Sequence, residues 1–292
     1  TRVKKGAGGR TLAFKLTLED GTQGYFKPEQ TVSSANWYAE VAAYHLDRAL
    51  GLGRVAPVTS RRVAWSALVK AAAGDKREPE LIRDKQDSLR GAFIAWLPKK
   101  PTAVETPAGW ENWVRIEPFA RWAVSPYQSS AAYVAALRHV RELAARGAQA
   151  PGRYEVIPTP SSEDLPAALS DMLVFDFLTL NYDRWGGDNT NVLTLGAGGP
   201  LIFLDNGDAF SAGPSRRGLM DSRLAPVQKF RKRTIEALRK LDVAALGERL
   251  NADPNGPILD ENAMAGLAVR RQAVLEHVAA QQQRFGDAVF AW

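Results

Sequence analysis

The chain contains no cysteine and only three histidines and three methionines among its 292 residues. Without cysteine, disulfide staples, thiolate nucleophiles and sulfur-ligated zinc are all excluded. No stretch stays apolar for the roughly 18 residues a membrane-spanning helix requires, so no transmembrane segment is expected. A dominant charge of one sign is missing too: 38 basic residues against 32 acidic ones leave a formal charge of +6. Its basic pairs, Lys4-Lys5, Arg61-Arg62, Lys99-Lys100 and Arg216-Arg217, are scattered along the chain. Dispersal of this kind reads as solvated surface rather than a nucleic-acid stripe, and no nucleic-acid partner is expected. The first residue is Thr1, which fits either a cytoplasmic chain or one exported after loss of a leader.

What is present describes a folded protein. An apolar content of 45% with 24% charged residues suits a large core, built as one domain or as two lobes around a cleft. Residues 12–18 alternate, meet Glu19-Asp20-Gly21-Thr22, and alternation resumes over Gln23 to Pro28. That pattern predicts a hairpin. Ahead of it, Gly6-Ala7-Gly8-Gly9 fits either a free terminus or a loop that lets backbone approach phosphates. A helix is expected over 34–50, capped by Ser33 or Ser34, and a strand over 58–64. Residues 71–88 read as a charged surface insertion with short helices, 91–97 as a strand and 98–109 as a loop. Further on, helices are expected over 131–145, within 162–180, over 225–241 and over 262–284, with turn-rich breaks at 147–160 and 251–257. The resulting expectation is an α+β fold with a β-rich lobe over 1–124 and a mainly helical lobe over 125–292.

Two polar segments stand where apolar runs end. Asp183 to Leu193 follows the run from Met172 to Leu180, and Asp205-Asn206-Gly207 ends the run Leu201-Ile202-Phe203-Leu204. Phosphotransfer needs a carboxylate beside the acceptor hydroxyl, a carboxylate and an amide oxygen on a divalent metal, and a lysine on the phosphates. Asp183 is the candidate for the acceptor, and Asp205 the candidate metal ligand, because Mg²⁺ and Mn²⁺ favour oxygen. Asn191 or Asn189 would add a neutral oxygen. Lys15 and Lys27 on the hairpin are candidates for gripping phosphates if the register puts them on one face. Glu40 falls on the apolar side of its helix, where it needs a cation or a metal to offset desolvation. Plainer readings stay open at each position: surface lysines, a helix-capping aspartate at Asp183, and a simple turn at Asn206-Gly207.

These residues carry a resemblance. Phe14-Lys15-Leu16, Phe26-Lys27-Pro28, Glu40 to Leu50 with Arg54-Val55-Ala56-Pro57, Phe175 to Arg184, and Leu204-Asp205-Asn206-Gly207-Asp208-Ala209-Phe210 occur in order over residues 12–210. The chain resembles the secretory-pathway atypical kinases, which include the Golgi casein kinase, the xylose kinase of proteoglycans and the four-jointed kinases, as a divergent, bacterial-like member. A more distant likeness runs to phosphoinositide and HipA-type kinases.

The resemblance implies a two-lobed kinase that uses ATP with Mg²⁺ or Mn²⁺. Lys15, Lys27 and Glu40 would serve the nucleotide, Asp183 would act on the acceptor, and Asp205 with Asn191 or Asn189 would hold the metal. Trp185 stands where many relatives have histidine, which is closer to the four-jointed branch, and the cysteines of animal members are missing. Acceptors implied are a protein Ser/Thr hydroxyl, narrowly favoured, or a glycan hydroxyl. A binding-only, pseudokinase-like module is the remaining alternative. Acceptor selection is expected in the loops 98–112 and 211–224, where Trp110, the adjoining Trp113, Arg216 and Arg217 would stack on a sugar or meet an acidic peptide.

Overall fold

The computed structural model describes residues 1–6, 9–32, 35–107, 109–117, 123–124, 138, 141–143, 145–147, 155–156, 160–162, 164–186, 189, 191–210 and 214–292. The expected caps Ser33 and Ser34, most of the expected helix over 131–145 and most of the break at 147–160 lie outside these residues.

The N-terminal elements are β1 (Arg2–Lys5), β2 (Phe14–Thr17), β3 (Gln23–Pro28), α1 (Trp37–Ala49), β4 (Val58–Ala64), α2 (Trp65–Ala72) and β5 (Ser88–Ala95). The strands form a five-stranded sheet in the order β1-β2-β3-β5-β4, and every neighbouring pair is antiparallel. The expected hairpin is β2-β3, in which Phe14 faces Phe26 and Lys15 faces Tyr25. Period-two alternation explains the two faces. Phe14, Leu16 and Phe26 turn to one side and pack with Trp65, Leu68, Leu89 and Phe93, so α2 is part of a small core rather than the surface insertion expected downstream of it. Lys15, Tyr25 and Lys27 occupy the other side, where α1 lies.

The first helix buries Trp37, Ala39, Val41, Ala42, Ala43 and Leu46 together with Glu40. Its N-cap is Asn36, whose backbone N–H donates to the Gly207 carbonyl at 2.8 Å. That bond ties the helix start to the Asp205 segment from the far end of the chain.

The second core centres on the helix Leu165–Thr179, all of whose residues are buried. A helix apolar around its whole circumference must be enclosed by other elements, and here Met220, Leu238, Leu267 and Val274 belong to the same core. Its polar members are all bonded: Ser170 Oγ donates to the Lys229 carbonyl, Thr179 Oγ1 to the Phe175 carbonyl, Asp171 accepts from Arg231 and Thr234, and Asp176 accepts from Arg184 and Trp185. The expected final helix is present as Glu261–Phe285, capped by Asp260, which accepts from the Ala263 N–H at 2.7 Å.

Three expectations are corrected, and one helix is added. Within 98–109, Pro101–Ala103 is a strand that pairs with Leu193–Leu195, which in turn pairs with Leu201–Ile202. Residues 101–103 are thereby tied to C-terminal elements, although they precede the lobe boundary expected near residue 124. Residues 214–224, expected as loop, form the helix Pro214–Leu224. The helix expected over 225–241 forms only over Lys232–Lys240, because Gln228 Oε1 accepts from the Ile116 and Glu117 amides while its own N–H donates to the Val114 carbonyl. A further helix, Val243–Asn251, precedes the expected break and is capped by Asp242.

Phe175 is wholly buried at the centre of the larger core and lies 5.2 Å from the Phe203 ring. Phe175→Ala should lower unfolding stability by about 3–5 kcal/mol, the scale of a phenylalanine-sized cavity, read from the midpoint of urea denaturation.

Candidate active site

Lys27 is one of the points at which the two halves meet. Strand β3 carries it on the cleft-facing side, two residues from Tyr25 and opposite Ala92. Its ammonium donates to Glu40 Oε1 at 2.6 Å and to Asp205 Oδ1 at 2.7 Å. Burial alone would push the lysine pKa down, but the two carboxylates outweigh it and hold the pKa above its ordinary value, so Lys27 stays charged. Glu40 answers the question its position posed. Only 2% exposed, it takes Lys27 on Oε1, shares that oxygen with the Asn206 N–H at 3.1 Å, and accepts from Asn206 Nδ2 on Oε2 at 3.3 Å. Both oxygens are engaged with protein, so Glu40 positions Lys27 and the Asp205 segment.

Asp205 sits in left-handed backbone at φ 55°, a conformation that costs a non-glycine residue on the order of 1–3 kcal/mol and persists where surroundings enforce it. Asn206 is buried and held by Glu40, by Asn181 Nδ2 at 3.4 Å and by Arg184 Nη2 at 2.8 Å. Asn206-Gly207 is therefore not a free hairpin turn. Arg184 also donates to the Leu204 carbonyl and grips both oxygens of Asp176 at 2.9 and 2.8 Å. This fully buried pair is completed by Trp185 Nε1, which donates to Asp176 Oδ2 at 2.8 Å. Trp185 also stacks on Trp110 with centroids 5.4 Å apart. Burial raises the Asp176 pKa to about 6 in spite of Arg184. For Asp205, the adjacent Lys27 is the main cause of a pKa below the usual carboxylate value, which keeps it anionic and suited to a hard cation.

Two cavities flank this centre. One, of about 620 Å³, is lined by Tyr25, Lys27, Ile94, Leu97, Asn191 and Asp205 among others, and is mostly apolar. The other, of about 360 Å³, is lined by Gly9, Arg10, Thr11, Lys27, Asp183 and Asp205 among others. Asp183 starts a short 3₁₀ turn, Asp183–Trp185, and is exposed to the cavity side while its two neighbours in the turn are buried. Asn191 Nδ2 donates to the Asp183 carbonyl at 3.4 Å, which leaves its amide oxygen for another partner.

Lys27, Glu40, Asp183, Asp205 and Asn191 thus converge as expected from sequence, and two candidates do not. Lys15 shares the cleft face, but its ammonium lies over the Trp96 ring at 3.7 Å and it is not among the lining residues of either cavity. Asn189 donates to Thr106 Oγ1 at 3.1 Å and also lines neither cavity. Trp110 and Trp113 are buried at 3% and 1% exposure and offer no stacking platform. Arg217 is paired with Asp221 at 2.9 Å, while the side chain of Arg216 lies outside the described residues, as do Gly187, Asp188 and Thr190. Sequence reading missed Tyr25, which lines both cavities, and the roles of Asp176 and Asn206. An aspartate inside an all-apolar helical run, eight residues before an arginine, was the available signal for the buried pair.

Among the described residues, no three histidine, aspartate or glutamate side chains gather around one point. Asp205, 61% exposed at its side chain, and Asn191 fit a cation that completes its shell with water and phosphate oxygens, as Mg²⁺ commonly does.

A β-rich lobe and a helical lobe joined across a charged lysine, with acidic strand ends below it, define a two-lobed α+β kinase-like fold. That fold is shared with the solved structure of the Golgi casein kinase, at a TM-score of 0.63 and 19% identity, covering 98% of this chain and 74% of that one. A structure of the Golgi casein kinase with Mn/ADP bound aligns at a TM-score of 0.60, 18% identical, over 98% of this chain and 74% of that chain. The family model described as Golgi casein kinase, C-terminal, Fam20 matches residues 156–288. The extracellular serine/threonine protein kinase FAM20C of Homo sapiens is 27% identical over 331 residues, covering 95% of this chain and 51% of that protein. A glycosaminoglycan xylosylkinase of Danio rerio is 25% identical, covering 95% of this chain and 71% of its own. The chain is similar to the Fam20 kinases in its C-terminal half, and it spans about half the length of the human protein it matches.

Removing one partner of the buried pair isolates its weight. Arg184→Met should cost about 3–5 kcal/mol at neutral pH by stranding Asp176. Because the folded Asp176 pKa is raised from 3.8 to about 6, protonation favours the folded state, and this group loses stabilising effect as pH rises through that window. Without Arg184, less opposes the burial that raises the Asp176 pKa, so the variant takes up this proton at higher pH than the parent, and the stability gap between them should narrow on acidification from pH 7 to 5, as read by urea titration.

Proposed function

We propose that the protein is an ATP-dependent kinase that transfers the γ-phosphoryl group to a hydroxyl acceptor. One observation carries this reading: Lys27 bridges Glu40 at 2.6 Å and Asp205 at 2.7 Å, at the junction of an apolar cavity and a second cavity that holds Asp183. The apolar cavity suits a nucleobase, placing the triphosphate along Lys27 toward Asp205. Lys27 holds phosphate oxygens, and Glu40 keeps its ammonium aimed at them. Asp205 and Asn191 would hold the divalent cation, which would supply charge neutralisation at the phosphates. Asp183 orients the acceptor hydroxyl for in-line attack and accepts its proton as the new P–O bond forms and the bond to the leaving diphosphate breaks.

The relatives' names divide between a serine/threonine protein kinase and glycosaminoglycan xylosylkinases. We favour a protein Ser/Thr hydroxyl. The two tryptophans that would have stacked a sugar, Trp110 and Trp113, are buried, which supports this choice over the glycan acceptor. Phosphate transfer to glycans alone, in a screen of acidic peptides and glycans under one set of ATP and metal conditions, would reverse it.

The roles of the two aspartates separate in experiment. Asp183→Asn should slow transfer by roughly 10²–10⁴ with nucleotide binding kept, the scale of a positioned acid or base. Asp205→Ala should abolish the Mg²⁺- or Mn²⁺-dependent part of ATP binding in calorimetry. Nucleotide binding by the parent without any transfer from labelled ATP would favour a binding-only module.

A further inference from the structure

Gly6 and Gly9, the described glycines of the glycine-rich segment, lie between two paired strands. Lys5 of β1 pairs with Phe14 of β2, and the Gly6 N–H donates to the Ala13 carbonyl at 2.8 Å, so residues 6–13 connect two adjacent strands. Gly6 has to be glycine, since a Cβ there would stand 2.3 Å from the Tyr25 hydroxyl. The described part of this loop is held from outside. Arg77, in the turn after α2, donates from Nη1 to the Gly9 carbonyl at 2.8 Å and to the Thr11 carbonyl at 3.1 Å. Its guanidinium is itself fixed by Asp75, which accepts from Nε at 2.9 Å and from Nη2 at 2.8 Å. Asp75 also takes Lys5 Nζ at 3.1 Å, and Gln30 closes the other end of the loop, accepting from the Leu12 N–H and donating to the Leu12 carbonyl.

Gly9, Arg10 and Thr11 line the cavity that contains Lys27, Asp183 and Asp205, whereas Arg77 does not. A trans peptide points its N–H opposite to its C=O. With the Gly9 carbonyl turned to Arg77, the Arg10 N–H faces the other way. Glycine-rich backbone loses more freedom on ordering than any other, and ordering it in advance removes that cost from ligand binding.

We infer that Asp75 and Arg77 are positioning residues that lock the Gly9–Thr11 backbone in place to receive the terminal phosphate of the nucleotide. The inference rests on the kinase reading above and adds to it a control point in the insertion after α2. Arg77→Ala should weaken Mn²⁺-ATP binding about tenfold, the scale of one lost charge-assisted hydrogen bond, and leave adenosine binding unchanged. Arg77→Lys, a point charge without the fork, should restore only part of the loss, and Asp75→Asn should lie between Arg77→Ala and the parent. Calorimetry with ATP, ADP and adenosine reads all three variants, with circular dichroism confirming that they are folded. An equal loss for adenosine and ATP, or no loss for ATP in any folded variant, overturns the inference while the kinase reading stands. Failure of the parent itself to bind ATP removes both.

Discussion

The ion pair between Lys27 and its two carboxylates is the constraint on which the site depends. A partly buried lysine ammonium on a strand is costly unless carboxylates meet it, and here one comes from α1 and one from a segment 178 positions further along the chain. The β-sheet lobe and the helical lobe are thus joined at the one place where a phosphate chain and its cation would need opposite charges side by side. Glu40 makes the junction exact in direction by bonding Lys27 and Asn206 with the same carboxylate.

Behind that junction stands a second layer that sets the backbone. The buried helix Leu165–Thr179 offers Asp176 to Arg184 and Trp185, and Arg184 passes the restraint to Asn206 and the Leu204 carbonyl. Asp205, between those two, is held in left-handed backbone. A structural ion pair with no access to solvent is thereby linked to the exposed carboxylate that faces the cleft. Asp183 is placed by the same turn, since it precedes Arg184, whose side chain goes inward while Asp183 goes outward.

Much of this was legible in the amino-acid order because it follows short periodicities. The β2-β3 hairpin, α1, β4 and the final helix show alternation or helical spacing over enough residues to be read locally. Asp183, Asn191 and Asp205 were legible in polar segments where apolar runs end, Lys27 by its place on the hairpin, and Glu40 as a carboxylate on the apolar side of its helix. What was hidden depends on distant partners. Nothing near Lys15 announces that Trp96 will sit beneath its ammonium, and nothing near Gln228 reveals that the Ile116 and Glu117 amides will draw it out of a helix. Asn189 and Asn191 are equally plausible ligands in one dimension; only the fold separates them, by bringing Asn191 and not Asn189 to the wall of the cavity that Lys27 and Asp205 also line. The tryptophans read as a recognition surface are buried for the same reason, since their partners come from the helical core.

The central claim is that nucleotide phosphates and a divalent cation meet between Lys27 and Asp205. A crystal structure with Mn²⁺ and a non-hydrolysable ATP analogue tests it most directly, with anomalous scattering to locate the metal. The account predicts manganese on Asp205, phosphate oxygens about 3 Å from Lys27 Nζ, and the base in the apolar cavity beside Tyr25 and Ile94. A nucleotide bound elsewhere, or phosphates seated with manganese away from Asp205, would contradict it.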